Sequence, residues 1–272
     1  MAPVTPALDA EIREKHYPRS RGGRAHLALA GLSLHIEPRE IVALVGPSGC
    51  GKTTFLNIVA GLDREFDGEV HLASRPDGAP ARVGYVFQEP RLLPWRTVYE
   101  NLALVLPPHR AEPIVTDMLK AVGLAEAGEL FPAQLSVGMS RRVAIARAFA
   151  IEPDLLLMDE PFVSLDHDTV EQLRELLLRL WQARPTTVLF VTHDLREALV
   201  LADRLVLLSG PPAHVVGQVP VSMARERRRS GAELERLRDE VLRQHRELIG
   251  AAGTMSSSPP AAVEQAVHRD GR

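Results

Sequence analysis

A single cysteine, Cys50, occurs in 272 residues. One thiol forms no internal disulfide and no multi-cysteine metal site, so the composition fits a reducing cytosol. Lysine is nearly as scarce, with Lys15, Lys52 and Lys120 the whole set, so a lysine at a motif position is less easily coincidental. No apolar run is long enough to span a bilayer as a helix, because the longest greasy stretch, Ile41 to Gly61, is broken by Gly, Ser and Lys52. Any membrane role then falls to a partner. The opening Met-Ala-Pro-Val-Thr-Pro reaches Asp9 and Glu11 before any apolar run, so no secretory leader is expected. Charge of one sign is also missing: the formal net charge is −3, which gives no support to a dedicated nucleic-acid binder. What is present, 45% hydrophobic and 25% charged residues, suffices for one or two packed domains.

Residues 1–24 are rich in Pro and Arg and read as a loose lead-in. Ala25 to Ile36 alternates as a strand broken at Ala30-Gly31, and Ile41 to Val45 is a β-branched run expected as a buried parallel strand. A helix is expected over Thr53 to Ala60, ending at Gly61, with short strands over Glu69 to Ala73 and Val83 to Phe87. From Thr97 to Gly123 the apolar spacing is helical, in two pieces split by Pro107-Pro108. Helices over Arg141 to Ala150, Thr169 to Ala183 and Leu195 to Ala202 then alternate with strands over Leu155 to Met158, Thr187 to Val191 and Leu205 to Leu208. This alternation predicts an α/β domain with a largely parallel sheet over 25–220, containing a helical region over about 97–150. A charged amphipathic helix is expected over Glu233 to Leu248, within 221–249, and a disordered tail over 250–272.

Gly46-Pro47-Ser48-Gly49-Cys50-Gly51-Lys52-Thr53-Thr54 fits G-x-x-x-x-G-K-[ST] between a β-branched strand and a helix. Glycines there let successive N–H groups turn toward an anion, and the helix N-terminus adds its dipole. Lys52 supplies a point charge to terminal phosphates, and the Thr53 hydroxyl can ligate Mg²⁺. The plainer alternative is a Gly-rich turn with an exposed lysine. Leu155 to Met158 runs into Asp159-Glu160, where one carboxylate is placed for Mg²⁺ and the next for polarising water toward a γ-phosphate. One acid alone would read as a solvated turn; two beside a phosphate loop do not.

Gln88 after Val83 to Phe87, Leu135-Ser136-Val137-Gly138-Met139 before a basic helix, Ser164-Leu165-Asp166 and His193 follow in an order that resembles the ATP-binding-cassette (ABC) ATPases, from about Leu27 to Leu208. A closer resemblance is to the ATPase subunits of bacterial nitrate, sulfonate and taurine-type importers. It is carried by Val86 to Trp95, Thr97-Val98, Glu100-Asn101, Asp159-Glu160-Pro161-Phe162, Thr192-His193-Asp194 and Leu207-Leu208-Ser209. The resemblance implies a P-loop ATPase core with an antiparallel β portion and an α-helical signature subdomain. It also implies ATP and Mg²⁺ as ligands, sandwiched in a head-to-tail dimer with a second ATPase subunit. On it, Ser136 and Gly138 contact the γ-phosphate held by the partner copy, and Gln88 senses Mg²⁺ and touches the permease. Asp166 spans the dimer interface, Glu160 and His193 join Lys52 in catalysis, and Thr53, Gln88 and Asp159 surround the metal. The partners implied are a transmembrane permease and, indirectly, a periplasmic solute-binding protein, with the chain peripheral on the cytoplasmic face of the inner membrane and no nucleic acid bound.

Leu92, Leu93, Pro94 and Trp95 form an apolar stretch in a loop and are expected as the permease contact; alternatively Trp95 packs into the helical region. Tyr17 stacks on adenine if Pro18 to Gly23 is an insertion, and is otherwise a solvated tyrosine. Three positions depart from the family pattern. Val137 replaces a signature glycine, so its Cβ would restrict approach to a phosphate or exclude a positive φ. Ser140 stands where arginine is common, and Arg39 replaces a turn glycine harmlessly. Cys50 reads as a small residue that fits the loop; the alternative, from its place beside Lys52 and a helix start, is a reactive thiol that nucleotide protects. Arg225 to Arg229 reads as a solvated basic face with some attraction to anionic lipid. The rival classes are a soluble ABC ATPase working on nucleic acid or ribosomes, disfavoured by one cassette and the short Thr54 to Leu135 segment, and a regulatory subunit with weakened hydrolysis.

Overall fold

The computed structural model describes residues 5–18, 26–225, 228 and 231–244. Its strands are β1 (Leu8–Tyr17), β2 (His26–Ile36), β3 (Ile41–Val45), β4 (Asp67–Leu72), β5 (Val83–Val86), β6 (Leu155–Asp159), β7 (Thr187–Thr192), β8 (Arg204–Leu208) and β9 (Val215–Pro220). The α-helices are α1 (Lys52–Val59), α2 (Val98–Ala103), α3 (Pro108–Ala121), α4 (Val137–Ala150), α5 (His167–Ala183), α6 (Leu195–Leu201) and α7 (Gly231–Gln244).

The apolar run of β3 is buried on both faces, as a strand needs to be when helices cover its sheet on both sides. It lies in a six-stranded sheet of order β5-β6-β7-β3-β8-β9, parallel except for β9. Alternation along β3 divides the core. Ile41, Ala43 and Val45 pack with residues of α4, α5 and α6, while Val42 and Leu44 pack with α1 and a three-stranded antiparallel sheet of order β2-β1-β4. The α/β class and the antiparallel portion therefore hold. Helices α2, α3 and α4 pack on one another at one side of the large sheet.

Four expectations are corrected. The stretch read as a loose lead-in contains β1, which buries Leu8, Ala10 and Ile12 and exposes Asp9, Glu11 and Arg13; its charged alternate sites masked a half-buried strand. β2 is unbroken at Ala30-Gly31, because Gly31 takes φ +62° within the strand. β9 closes the sheet edge beside β8 with a polar, Pro-ended strand that no pattern announced. The basic cluster is not a solvated face as a whole. Arg228 is buried and donates to the carbonyls of Ala202, Val221 and Met223, and Arg225 pairs with Asp203 at 2.5 Å while its guanidinium lies 4.2 Å from the Trp181 ring centroid. Arg227, Arg229, the expected helix end at Leu248 and the 250–272 tail lie outside the described residues.

Arg39 is not a neutral variant either. It turns into β3 at φ +66° with its N–H donating to Thr187 Oγ1 at 3.0 Å, a conformation that disfavours any residue with a Cβ. Arg39→Gly keeps that donor and is expected to raise stability by about 0.5–1 kcal/mol, read as a higher urea midpoint at unchanged slope.

Candidate nucleotide site

The phosphate loop, Gln88, Asp159, Glu160 and His193 sit at the C-terminal edge of the parallel strands or just beyond it, where open α/β sheets place ligands. Residues 46–51 bridge β3 to α1. Gly49 takes φ +75° and Gly51 φ +118°; a Cβ on Gly51 would come within 2.7 Å of Leu29 Cδ2 and 3.1 Å of the Ala28 carbonyl. Lys52 opens α1 and is only 4% exposed. Its Nζ donates to the carbonyls of Gly46 at 2.8 Å and Pro47 at 2.9 Å. The Lys52 ammonium therefore lies folded over its own loop, 3.8 Å from Glu160 Oε1.

Thr53 Oγ1 donates to Asp159 Oδ1 at 3.1 Å. Burial pushes the Asp159 carboxyl above its ordinary value, opposed by the Thr53 hydroxyl and reinforced by neighbouring Glu160. Glu160 follows β6 at φ +43°, with its N–H on the Val191 carbonyl at 3.0 Å. A non-glycine residue held there is strained, and such strain persists only where the surroundings over-determine it. His193 Nδ1 lies 3.3 Å from Glu160 Oε2. A cleft of ≈ 320 Å³ is lined by Ser48, Gly49, Gly51, Lys52, Thr53, Thr54, Gln88 and Glu160. Four separate strand ends thus bring Lys52, Thr53, Gln88, Asp159, Glu160 and His193 together.

Tyr17, at the end of β1, also reaches this region. Its hydroxyl donates to Asp63 Oδ2 at 3.1 Å and lies 3.3 Å from the Thr54 hydroxyl. The buried Lys15 ammonium lies 4.6 Å from the Tyr17 ring centroid and donates to Asp63 Oδ1 at 2.7 Å. Tyr17 is thus not an isolated loop tyrosine.

Sequence reasoning missed Glu197. Its carboxylate accepts from Thr192 Oγ1 at 2.7 Å, and Thr192 Oγ1 in turn accepts the Asp194 N–H at 3.0 Å. This brace stands directly behind His193, and burial pushes the Glu197 carboxyl up. Asp194 caps α6 and Glu197 is its third residue, so the Asp-x-x-Glu spacing was a signal available for the brace.

Other expected residues lie elsewhere. Ser136 caps α4 by accepting the Met139 N–H at 3.2 Å, and neither Ser136 nor Gly138 lines the cleft. Val137 is 61% exposed as the first residue of α4 and takes no positive φ, so of the two anticipated effects of its Cβ the excluded φ does not arise. Asp166 caps α5 through the Thr169 N–H at 2.9 Å. The apolar loop stretch divides: Leu92 packs against the core, Leu93 lines a groove of ≈ 300 Å³ with Leu104, Val105 and Ile151, and Trp95 is 69% exposed. Trp95 does not pack into the helical region. Buried Asn101 holds this loop, accepting the Leu93 N–H at 2.8 Å and donating to the Leu93, Arg96 and Thr97 carbonyls.

Of the two readings of Cys50, the small inert residue fits the structure and the reactive thiol does not. The side chain is 1% exposed in the core beneath the loop, and burial raises its thiol above the usual value despite nearby Lys52. An aromatic disulfide reagent should label it slowly in the native chain, with or without nucleotide, and rapidly in denaturant. Fast native labelling that nucleotide suppresses would restore the reactive alternative.

A phosphate loop, an acidic strand end and a histidine around one cleft define a nucleotide-hydrolysing P-loop cassette. Comparison with known proteins agrees. The ABC transporter family model matches residues 29–163. The aliphatic sulfonates import ATP-binding protein SsuB of Bacillus subtilis (strain 168) is 40% identical over 239 residues, covering 87% of this chain and 93% of that protein. SsuB 1 of Pseudomonas aeruginosa (strain UCBPP-PA14) is 47% identical over 221 residues, covering 79% and 89%. Among solved structures, the dimeric post-hydrolysis state of the ATP-binding cassette MJ0796 bound to ADP and Pi superposes with TM-score 0.68 at 30% identity, covering 80% of this chain and all of that one. The chain belongs to the ATP-binding subunits of ABC transporters, in the nitrate, sulfonate and taurine-type importer group, and is an ATPase of that class.

Proposed function

We propose that hydrolysis of MgATP at the cleft drives import of an aliphatic sulfonate through a partner permease. The convergence of Lys52, Thr53, Asp159, Glu160, Gln88 and His193 from separate strand ends carries the hydrolytic half of this reading. In it, the loop amides and Lys52 neutralise the phosphates, and Glu160 takes or polarises the proton of the attacking water. His193, braced by Thr192 and Glu197, orients Glu160 and meets the γ-phosphate. Tyr17 offers its ring to the base.

Thr53 and Asp159 present two hard oxygens 3.1 Å apart, the donor chemistry that suits Mg²⁺, with Gln88 nearby on the cleft wall. When bound, Mg²⁺ would neutralise charge on the phosphate oxygens.

Ser136 and Gly138 stay outside the cleft of their own chain, so this reading assigns them to the cleft of a second copy, head to tail. The dimeric MJ0796 cassette supports that arrangement. Exposed Trp95 and the groove beside Leu93 would receive a cytoplasmic loop of the permease, holding the chain at the membrane surface, while a solute-binding protein delivers cargo outside. The sulfonate rests on the names of the relatives.

The test is uptake by vesicles that contain the permease and this chain, supplied with ATP on the cytoplasmic side. An unsubstituted alkanesulfonate should be accumulated in preference to nitrate and to the aminoalkanesulfonate taurine. Preference for taurine or nitrate moves the cargo within the group. Hydrolysis stimulated by nucleic acid and not by the permease transfers the chain to the soluble class.

A further inference from the structure

We propose that Arg141 is a positioning residue that locks the Gln88 segment and the segment after Glu160 to helix α4, so that three motif-bearing pieces move as one body. The inference rests on the hydrolytic reading above, and it concerns how the site is held and not which atoms react.

Arg141 lies one turn and a half inside α4, whose first residues follow Ser136. It is 5% exposed. Its Nη1 donates to the backbone carbonyls of Gln88 and, at 3.3 Å, of Phe87, while its Nη2 lies 3.5 Å from the carbonyl of Val163. One guanidinium therefore touches the segment leading to Trp95 and the segment leading to Asp166, and both contacts start from the helix that Ser136 caps. Its planar fork suits two acceptors in different directions better than an ammonium does.

Three observations mark this as more than helix packing. The arginine has no salt bridge among the described residues, and its Nε has no hydrogen-bond partner there. Burial pushes its pKa down, opposed by the charge of nearby Glu89, so holding the cation there carries an electrostatic cost. Secondly, Arg147, six residues further along α4, holds the same segment beyond Glu89, at the carbonyls of Pro90 at 2.8 Å and Arg91 at 3.0 Å. Four carbonyls of residues 87–91 are thereby bound by one helix. Thirdly, both tied segments carry a non-glycine residue at positive φ, Arg91 at +45° and Ser164 at +63°. Strained positions of this kind require a scaffold that removes the alternatives.

A displacement at Trp95 would on this basis reach Asp166 and the start of α4 without passing through nucleotide, because the shared element is a single side chain. Arg147 fixes one segment only; Arg141 fixes two.

The experiment compares the full chain with Arg141→Ala and Arg141→Lys by amide hydrogen exchange and by ATP hydrolysis. In Arg141→Ala, exchange over 86–91 and over 162–166 should accelerate together, while β3 exchanges as in the parent. The kcat should fall on the order of 10-fold with KM for ATP nearly unchanged. Arg141→Lys has one nitrogen in place of two and should keep only one of the two segments protected. Acceleration in a single segment in Arg141→Ala, in neither, or throughout the chain overturns the proposal, the last being what loss of a merely structural arginine produces. If the parent chain hydrolyses no ATP, the hydrolytic reading fails while the exchange comparison still decides this one.

Discussion

Glu160→Gln is expected to lower phosphate release by at least about 100-fold while leaving ATP binding intact, since a positioned general base typically contributes that much or more. The amide matches the carboxylate in size and leaves untouched the Glu160 N–H on the Val191 carbonyl. It loses the negative charge that faces Lys52 at 3.8 Å and His193 at 3.3 Å, and keeps one acceptor oxygen where the carboxylate had two. What disappears is the capacity to take a proton from water; what remains is the phosphate-binding half of the cleft. The variant should then accumulate as a dimer with ATP and stay monomeric without it, measured by light scattering after size exclusion. Turnover within a few-fold of the parent would show that another group polarises the water, and Glu160 would lose its assigned role.

Gly51→Ala should be as damaging by a different route. The residue needs φ +118°, which a Cβ disfavours, and that Cβ would stand 2.7 Å from Leu29 Cδ2 and 3.1 Å from the Ala28 carbonyl. The backbone acceptor cannot withdraw, because Ala28 O also receives the Ala213 N–H at 2.9 Å. Strain and overpacking together should cost roughly 2–4 kcal/mol of stability, read from urea unfolding. Gly51 immediately precedes Lys52 and the first amides of α1, so a shift of the loop moves the phosphate cradle. Nucleotide affinity should fall on the order of 100-fold by calorimetry, even at temperatures where the variant is fully folded. A variant that folds stably and binds ATP like the parent would show that the loop relaxes around the new methyl at little cost.

The parts of this molecule that were legible in sequence are those written locally. The phosphate loop announces itself because glycines, lysine and threonine must fall at fixed offsets between a strand and a helix. Asp159-Glu160 announces itself because an apolar strand seldom ends in two acids. The parallel core followed from β-branched runs alternating with helical spacing. β1 escaped because Asp9, Glu11, Arg13 and Glu14 fill most of its exposed sites and Lys15 takes one of its buried ones. β9 escaped because an edge strand with Gly, Gln and Pro lacks the apolar density of its neighbours. Arg228 read as part of a solvated basic face and Arg141 as the start of a basic helix, since nothing in a linear pattern shows which carbonyls a guanidinium will find after the chain folds. The same limit applies to Leu92 and Trp95, three residues apart in one apolar stretch, which end on opposite sides of the boundary between core and solvent.

The strand order has a consequence for biosynthesis. β3 carries the phosphate loop at its end, yet its hydrogen-bonded neighbours are β7 and β8, with Val42 opposite Leu189 on one side and Arg204 on the other. On the ribosome the loop is made early, and the walls of its strand emerge only when most of the cassette has been translated. Until then Ile41 to Val45 is an unpaired apolar segment, the kind of surface on which nascent chains aggregate or recruit chaperones. Nascent chains stalled before β7 should accordingly be sensitive to protease and unable to bind ATP, with both properties reversing once β8 has cleared the exit tunnel.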